Sequence, residues 1–371
     1  MLRAVTTPEP DPTQPTAGGS RDATRDSTRV ALGLALILVL VPSLGPVPAL
    51  VAAVALGVTL AASLRWDTGF LPAVVLVVVG IGLRVANATG GSDVLAVTHS
   101  AIDLVLHGGN PYGIGFEDSN PPGAPFPYGP LTLLWYLPTL ASPEKMELFS
   151  ATAVMAVLAL TRRPIGLAVY AVAPVLLQLA LDGSNDTSAG LLILAALAVG
   201  ESRPVVGAGL LALAVAFKPY ALAWVPALLL SGGLPAIAAF AGASVVLWLP
   251  VLAWGPGAYL TSLRMADGSH DHPYASLAAL VTRLLGGTAD RELFRNVGYA
   301  SGALAAAASL RWARSHDAIV IAGTLVLAAT LYLGYWATFA YVAAVAPILC
   351  WKLDGWVARA SLSRAGLSSA R

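Results

Sequence analysis

Runs of apolar residues, separated by brief polar or Pro/Gly interruptions, occupy most of this 371-residue chain. In order they fall at 30–43, 47–64, 69–88, 128–141, 146–161, 164–181, 187–201, 204–217, 219–231, 234–254, 296–312, 317–333 and 335–351. A helix needs about 20 apolar residues to cross the hydrocarbon layer, and fewer where charged ends snorkel. The pattern therefore predicts an all-α, polytopic transmembrane helical bundle with about twelve crossings. Two longer polar stretches, 89–127 and 255–295, read as external loops. Residues 1–29, rich in Pro, Thr, Ser, Asp and Arg, read as a disordered tail; 30–354 form the membrane domain, and 355–371 a second tail.

Arginine and lysine set the orientation, because positive loops stay in the cytoplasm. Arg21, Arg25 and Arg29 hold the N-terminus inside, and Arg65 returns the first hairpin there. Lys352, Arg359, Arg364 and Arg371 hold the C-terminus inside, and Arg311 with Arg314 marks an inner turn. Both long polar loops then share the extracytoplasmic face. If Arg162, Arg163 and Arg203 are cytoplasmic, the Asp182–Asp186 turn and Lys218 lie outside, and 128–141 is interfacial or re-entrant. If 204–231 is instead one kinked helix, 128–141 crosses fully and the Asp182–Asp186 turn lies inside.

Composition agrees with a lipid-facing surface. Hydrophobic residues make up 57% and charged residues 11% of the chain, where a soluble domain carries about a quarter charged residues. Mean hydropathy is +0.75. A net charge of +1 and the lack of a basic stripe with interleaved aromatics give no footing for nucleic acid. Cys350 is the single cysteine, so no intrachain disulfide forms. The first apolar run leads straight into others and reads as a retained anchor, not a cleaved signal. No Gly-rich phosphate cradle is present, and no cofactor is expected.

Candidate chemistry gathers in the polar stretches. Asp93 follows Gly90-Gly91-Ser92, and Val94 to His107 has helical periodicity with Leu95, Ile102 and Leu106 near one face. His99 and Asp103 lie off that face, and Asp103 is a candidate substrate contact. Gly108-Gly109-Asn110-Pro111 stops the helix, and Pro121, Pro122, Pro125 and Pro127 keep the next stretch extended. A carboxylate at such a water interface can serve as general base toward a sugar hydroxyl; equally, Asp93 can simply cap the helix after it.

Lys218 stands alone in a long apolar environment, with Pro219 breaking the helix beside it. It reads either as a phosphate-binding point charge or as a snorkelling end-anchor. The second outer stretch carries Arg264, Asp267, His270, Asp271, His272 and Tyr274. His270 and His272 at i and i+2 are weak evidence for metal; a solvated loop, or contacts to a phosphate or sugar, are the other readings. Asn185 and Asp186 either hydrogen-bond a sugar or cap the next helix. Tyr112, Tyr128 and Trp135 fit sugar or isoprenoid stacking, or an interfacial aromatic belt.

The order of these features resembles the first external loop and following helices of the GT-C membrane glycosyltransferases, most closely glycosyltransferase family 87. The resemblance spans roughly residues 70–285 and rests on four segments. They are the turn ending in Asp93, Gly108-Gly109-Asn110-Pro111-Tyr112 with the later Pro127-Tyr128-Gly129-Pro130-Leu131, Gly183-Ser184-Asn185-Asp186, and the Gly-rich run ending in Lys218-Pro219. The extra hairpin over 30–64, and Ser184-Asn185-Asp186 where Gly-Gln would match, depart from the family pattern.

The resemblance implies a polyprenyl-phosphate-linked sugar donor, mannose above all, a lipid or glycan acceptor outside the cytoplasm, and Asp93 as catalytic base. Lys218, Arg264, His270 and His272 would hold the donor phosphate, and Tyr112, Tyr128, Asn185, Asp186 and Asp103 the substrates. No metal is implied. A transporter or lipid flippase is the main rival, but no convincing internal repeat is present. A catalytically silent scaffold is the third reading. The transferase reading requires Asp93, Lys218 and the 264–274 segment to meet on one cavity.

Overall fold

A computed structural model describes residues 17–41, 45–88, 90–120 and 122–368. The described chain is all-helical apart from one two-residue antiparallel pairing, β1 (Gly115–Phe116) with β2 (Ala124–Pro125), inside the first polar stretch. The helices are α1 (Ala17–Val39), α2 (Pro46–Arg65), α3 (Leu71–Ala86), α4 (Val94–Leu106), α5 (Pro130–Tyr136), α6 (Glu144–Leu160), α7 (Pro164–Val172) and α8 (Pro174–Leu179). They continue as α9 (Asp186–Gly200), α10 (Pro204–Phe217), α11 (Val225–Trp254), α12 (Pro256–Gly268), α13 (Leu277–Leu285), α14 (Arg291–Trp312), α15 (His316–Tyr332) and α16 (Tyr341–Ser368).

Proline sets many of these boundaries. It is tolerated in a helix's first turn, where its missing N–H has no intrahelical partner to lose. Pro164, Pro174, Pro204 and Pro256 each open a helix in this way. Pro174 also splits the segment expected as a single run over 164–181 into α7 and α8. The carbonyls freed at that break are taken by Arg84, fully buried, which donates to Tyr170 O at 2.6 Å and Ala171 O at 3.0 Å. A second break lies inside α11, where Gly233 adopts φ 66°, ψ −163°, two residues before Pro235. A positive φ is open to glycine without the Cβ clash other residues meet, so the chain turns there instead of running straight.

Three helical stretches are long and apolar enough to cross a membrane by length and composition: Pro46–Arg65, Pro219–Trp254 and Tyr341–Ser361. Shorter apolar helices, among them Leu71–Ala86, Asp186–Gly200, Pro204–Phe217 and His316–Tyr332, pack beside them. By that measure fewer spans are complete in one helix than the sequence pattern predicts, because Gly, Pro and the Lys218 break cut the apolar runs short. Large apolar side chains face outward along the bundle, as Val47, Leu50, Val54 and Val58 do on α2. A water-facing surface would not carry such a stripe, and the protein is membrane-associated.

Several expected boundaries move. The first helix begins at Ala17, not at 30, and the last runs on to Ser368. The 128–141 segment becomes the seven-residue α5 and a single 3-10 turn, Leu137–Thr139, too short to cross. The 255–295 stretch is not a plain loop, because it contains α12, α13 and the start of α14. A helix expected over Val94–His107 is present as α4.

Ion pairs and caps join the far ends of several helices. Lys352 on α16 meets Glu201 at 3.0 Å and Asp317 at 3.1 Å, and Asp354 accepts the N–H groups of Ile165 and Gly166 at the start of α7. The end of α9 and the starts of α7 and α15 therefore gather on α16. The start of α9, the end of α15, the start of α16 and α8, which follows α7, line a cavity.

Candidate functional site

Two polar segments that are far apart in sequence lock together first. Gly90 N–H donates to Leu181 O at 3.4 Å and Leu95 N–H to Gly183 O at 2.9 Å. Gly183 sits at φ +90°, and a Cβ there would lie 2.2 Å from Ser92 O. Only glycine permits both that backbone angle and that approach. The lock holds Asp93 and Asp182 on the same cavity.

Asp93 occupies the N-cap position of α4, yet its side chain makes no capping hydrogen bond. Ser92 Oγ accepts the Val94 N–H instead, at 3.4 Å, while Asp93 Oδ2 accepts the Asn120 N–H at 2.7 Å. The capping alternative is therefore not the arrangement formed: the carboxylate turns toward the extended part of the first loop.

A similar substitution frees Asn185 and Asp186. They open α9, where cap residues are expected, but Glu147 reaches over from α6 and accepts the Ser188 N–H at 3.1 Å. Glu147 also accepts from the Ser188 and Tyr136 hydroxyls. With that end satisfied, Asn185 Oδ1 and Asp186 Oδ1 turn to Lys218, accepting from its Nζ at 2.6 and 2.7 Å.

Lys218 is 6% exposed, so it is no snorkelling anchor. Its backbone is extended, φ −141°, ψ 113°, between α10 and the 3-10 turn Pro219–Trp224. That rules out one continuous kinked helix over 204–231, and it puts Lys218 at the same end of the bundle as the Asp182–Asp186 turn. Tyr128, Tyr220 and Tyr341 surround the ammonium with ring centroids 5.3, 5.1 and 5.9 Å away, within cation–π range. The Tyr220 hydroxyl also donates to Asp186 Oδ1 at 2.7 Å.

The opposite wall comes from the 255–295 segment and from residues 334–341. His270 stacks on Trp336 at 3.8 Å with the rings 2° from parallel. Arg291 donates to the His270 carbonyl, and Tyr335 Oη to the Asp271 carbonyl at 3.0 Å. Burial, and then the Arg291 charge, hold the His270 imidazole below its usual range, so it is the neutral form that this wall favours. Burial raises the Asp182 carboxyl above the ordinary carboxylate range.

Together these elements enclose a cavity of about 980 Å³ that Asp93, Asp182, Asp186, Lys218, His270 and Arg295 all line. Both cations are already paired, Lys218 with Asp186 and Arg295 with Asp267 at 2.9 Å. Asp93 and Asp182 have no cation within salt-bridge distance among the described residues, leaving an acidic, aromatic-walled chamber. Such a chamber suits a polyol, with carboxylates to accept hydroxyl protons and rings to stack on sugar faces.

Of the residues expected from the sequence, Asp93, Tyr128, Asp186, Lys218 and His270 line the cavity, and Asn185 stands directly behind Lys218. Four others do not. Asp103 is exposed on α4, 3.6 Å from its helix neighbour His107, because it sits off the face that packs inward. Arg264 and His272 are exposed and off the lining, Arg264 on the outer side of α12 and His272 in the turn beyond it. Tyr112 is buried under the first loop against Phe126, Trp254 and Tyr259, with its hydroxyl 3.2 Å from Tyr128 O, so it supports Tyr128 instead of lining the chamber. Among the described residues no group of three or more His, Cys, Asp or Glu comes together as metal ligands.

Sequence reading missed Asp182, Arg295, Trp336 and Tyr341 as lining residues. Asp182 borders the Gly183-Ser184-Asn185-Asp186 segment, which was the available signal. Trp336 and Tyr341 lay in a run read as helix, and nothing in its composition marks the non-helical stretch 335–340. The chain matches no protein-family model, no characterised protein and no solved structure.

Proposed function

We propose that the protein is a membrane glycosyltransferase of GT-C type. It would move a sugar, mannose by resemblance, from a polyprenyl-phosphate donor to an acceptor hydroxyl on the extracytoplasmic side. The observation that carries this reading is the meeting of an uncapped carboxylate, Asp93, with the Lys218 centre and the His270 segment on one cavity. The all-helical, lipid-facing scaffold supports it further.

In the proposed topology α1, α2, α3, α6, α7 with α8, α9, α10, 219–232, 234–254, α14, α15 and α16 make about twelve passages. Both termini are then cytoplasmic and the cavity opens outside. Among the interactions that support this arrangement are the contacts of the first outer segment with α12, such as Gly113 N–H to Ser262 Oγ at 2.9 Å.

In the reaction, Asp93 takes the acceptor's hydroxyl proton as the acceptor oxygen bonds to the anomeric carbon. The bond from that carbon to the phosphate oxygen breaks on the opposite face, and its electron pair leaves with the polyprenyl phosphate, so the anomeric centre inverts. Lys218 has three N–H donors, of which Asn185 and Asp186 take two. The third is available to the departing phosphate, whose growing charge it offsets. Positioned general bases contribute about 10²–10⁴-fold in rate. Asp93→Asn is expected to lower transfer from a radiolabelled polyprenyl-phosphate sugar by that order while the purified protein keeps its elution profile and melting temperature. Full transfer by a well-folded variant would remove Asp93 from the mechanism.

A further inference from the structure

Helix α13 is amphipathic, but with its faces reversed for a helix on a water-soluble surface. Its small residues Ala278 and Ala279 are buried against the protein. Its large ones point away: Leu280 is 52% exposed, Leu284 73% and Leu285 80%. On a helical wheel Leu277, Leu280, Val281 and Leu284 fall within one apolar stripe, with Arg283 at its edge. A solvated helix turns such a stripe inward, so this one is built for apolar surroundings. On the next helix, α14, Leu293 and Leu304 are likewise exposed and fall on one side of the helix.

The same segment is fastened to the cavity wall. Ser276 caps α13 and donates its hydroxyl to Tyr335 O at 2.6 Å, and the Ala278 N–H reaches Gly334 O at 3.4 Å. Tyr274, two residues before the cap, lines the cavity.

We propose that α13 lies in the outer leaflet as an interfacial helix beside the cavity mouth, so that a lipid-borne substrate passes along it from the bilayer into the chamber. The occupant of the leucine stripe is lipid acyl chain. That choice rests on the exposed leucines of α13 and α14, Leu280, Leu284, Leu293 and Leu304, on a chain whose other helices also carry outward apolar side chains, and on the single arginine at the stripe's edge, a cation suited to a headgroup phosphate. The location of the helix does not depend on the transferase reading; the passage of substrate along it does.

The test places a nitroxide label at Leu284→Cys in the full-length protein in phospholipid vesicles. Cys350 is buried, and a Cys350→Ala background removes it as a second target. Exposed Glu117, on the first outer segment, carries the reference label as Glu117→Cys. The label at 284 is expected to collide more with oxygen than with a water-soluble nickel chelate, the reverse of the label at 117. Equal behaviour at the two positions puts α13 in water and overturns the proposal. Exclusion of both reagents at 284 means a protein covers the stripe, such as a second copy of the chain, and overturns it equally.

A Leu280→Gln, Leu284→Gln double variant then tests passage. The KM for a long-chain polyprenyl-phosphate sugar should rise about tenfold, with kcat unchanged and with no change for a short-chain, water-soluble donor. An unchanged long-chain KM removes the doorway role. Lipid-like collisions at 284 in a protein without any transfer activity would uphold the helix's location while rejecting the transferase reading.

Discussion

Lys218 and Asp186 are the most consequential pair of single residues in the molecule. An ammonium and a carboxylate 2.7 Å apart, both nearly out of solvent, offset each other's charge before any ligand binds. Removing one partner strands the other, which costs about 3–5 kcal/mol for a buried pair. Lys218→Met is thus predicted to lower the melting temperature in detergent sharply, and Lys218→Met with Asp186→Leu to recover most of that loss. If the double variant is no more stable than the single one, the pair does not set the energetics. His270 gives a prediction of the opposite kind. Its folded-state pKa lies below the ordinary 6.5, so the unfolded chain binds the proton first on acidification. Stability should be unaffected by this group well above pH 6.5 and should fall as the pH drops through 6.5 toward the folded value. In His270→Gln, melting curves taken across that window should lose this part of the decline. The Lys218 position was legible in the sequence, since Pro219 and long apolar flanks single it out. Its partner was not, because 32 positions separate Lys218 from Asp186 and the nearer reading of Asp186 was a helix cap.

For the helices, local pattern carried furthest where a stop signal was present. α4 was readable because its apolar spacing ends at Gly108-Gly109, and α10 because Lys218-Pro219 closes it. α13 was hidden inside a stretch that is polar on average, since nine residues with five large apolar ones do not change the character of forty-one. The start of α9 shows why side-chain roles are harder to read than boundaries. Its cap is supplied by Glu147 from another helix, and only that loan leaves Asn185 and Asp186 free to face Lys218. Glu147→Ala would leave buried donors on Ser188 and Tyr136 without their acceptor, at about 1–3 kcal/mol for each unsatisfied group. The variant is predicted to melt earlier than Glu147→Gln, which keeps one acceptor oxygen. Indistinguishable melting curves for the two would show that the cap is replaced by water.

Across the whole molecule, the predicted helical class is what forms, and the cavity brings together residues drawn from most of the length of the chain. The proposed orientation has a direct check. In sealed right-side-out vesicles, Glu117→Cys should react with an impermeant maleimide and Arg203→Cys should not until the membrane is permeabilised. Reaction of both from one side would reverse part of the topology. The Lys218–Asp186 contact also bears on how the chain is made. In the proposed topology α9 and α10 cross the membrane although they are short for it, and each brings one unlike charge to the same end of the hairpin. Leaving the translocon singly, α9 would carry an uncompensated carboxylate toward lipid; leaving as a couple, the two present a neutral package. We predict that a reporter sees the hairpin integrate into microsomes more efficiently than α9 by itself, and that Lys218→Met abolishes the difference. In that topology, biogenesis in pairs would follow from the same contact that shapes the chamber.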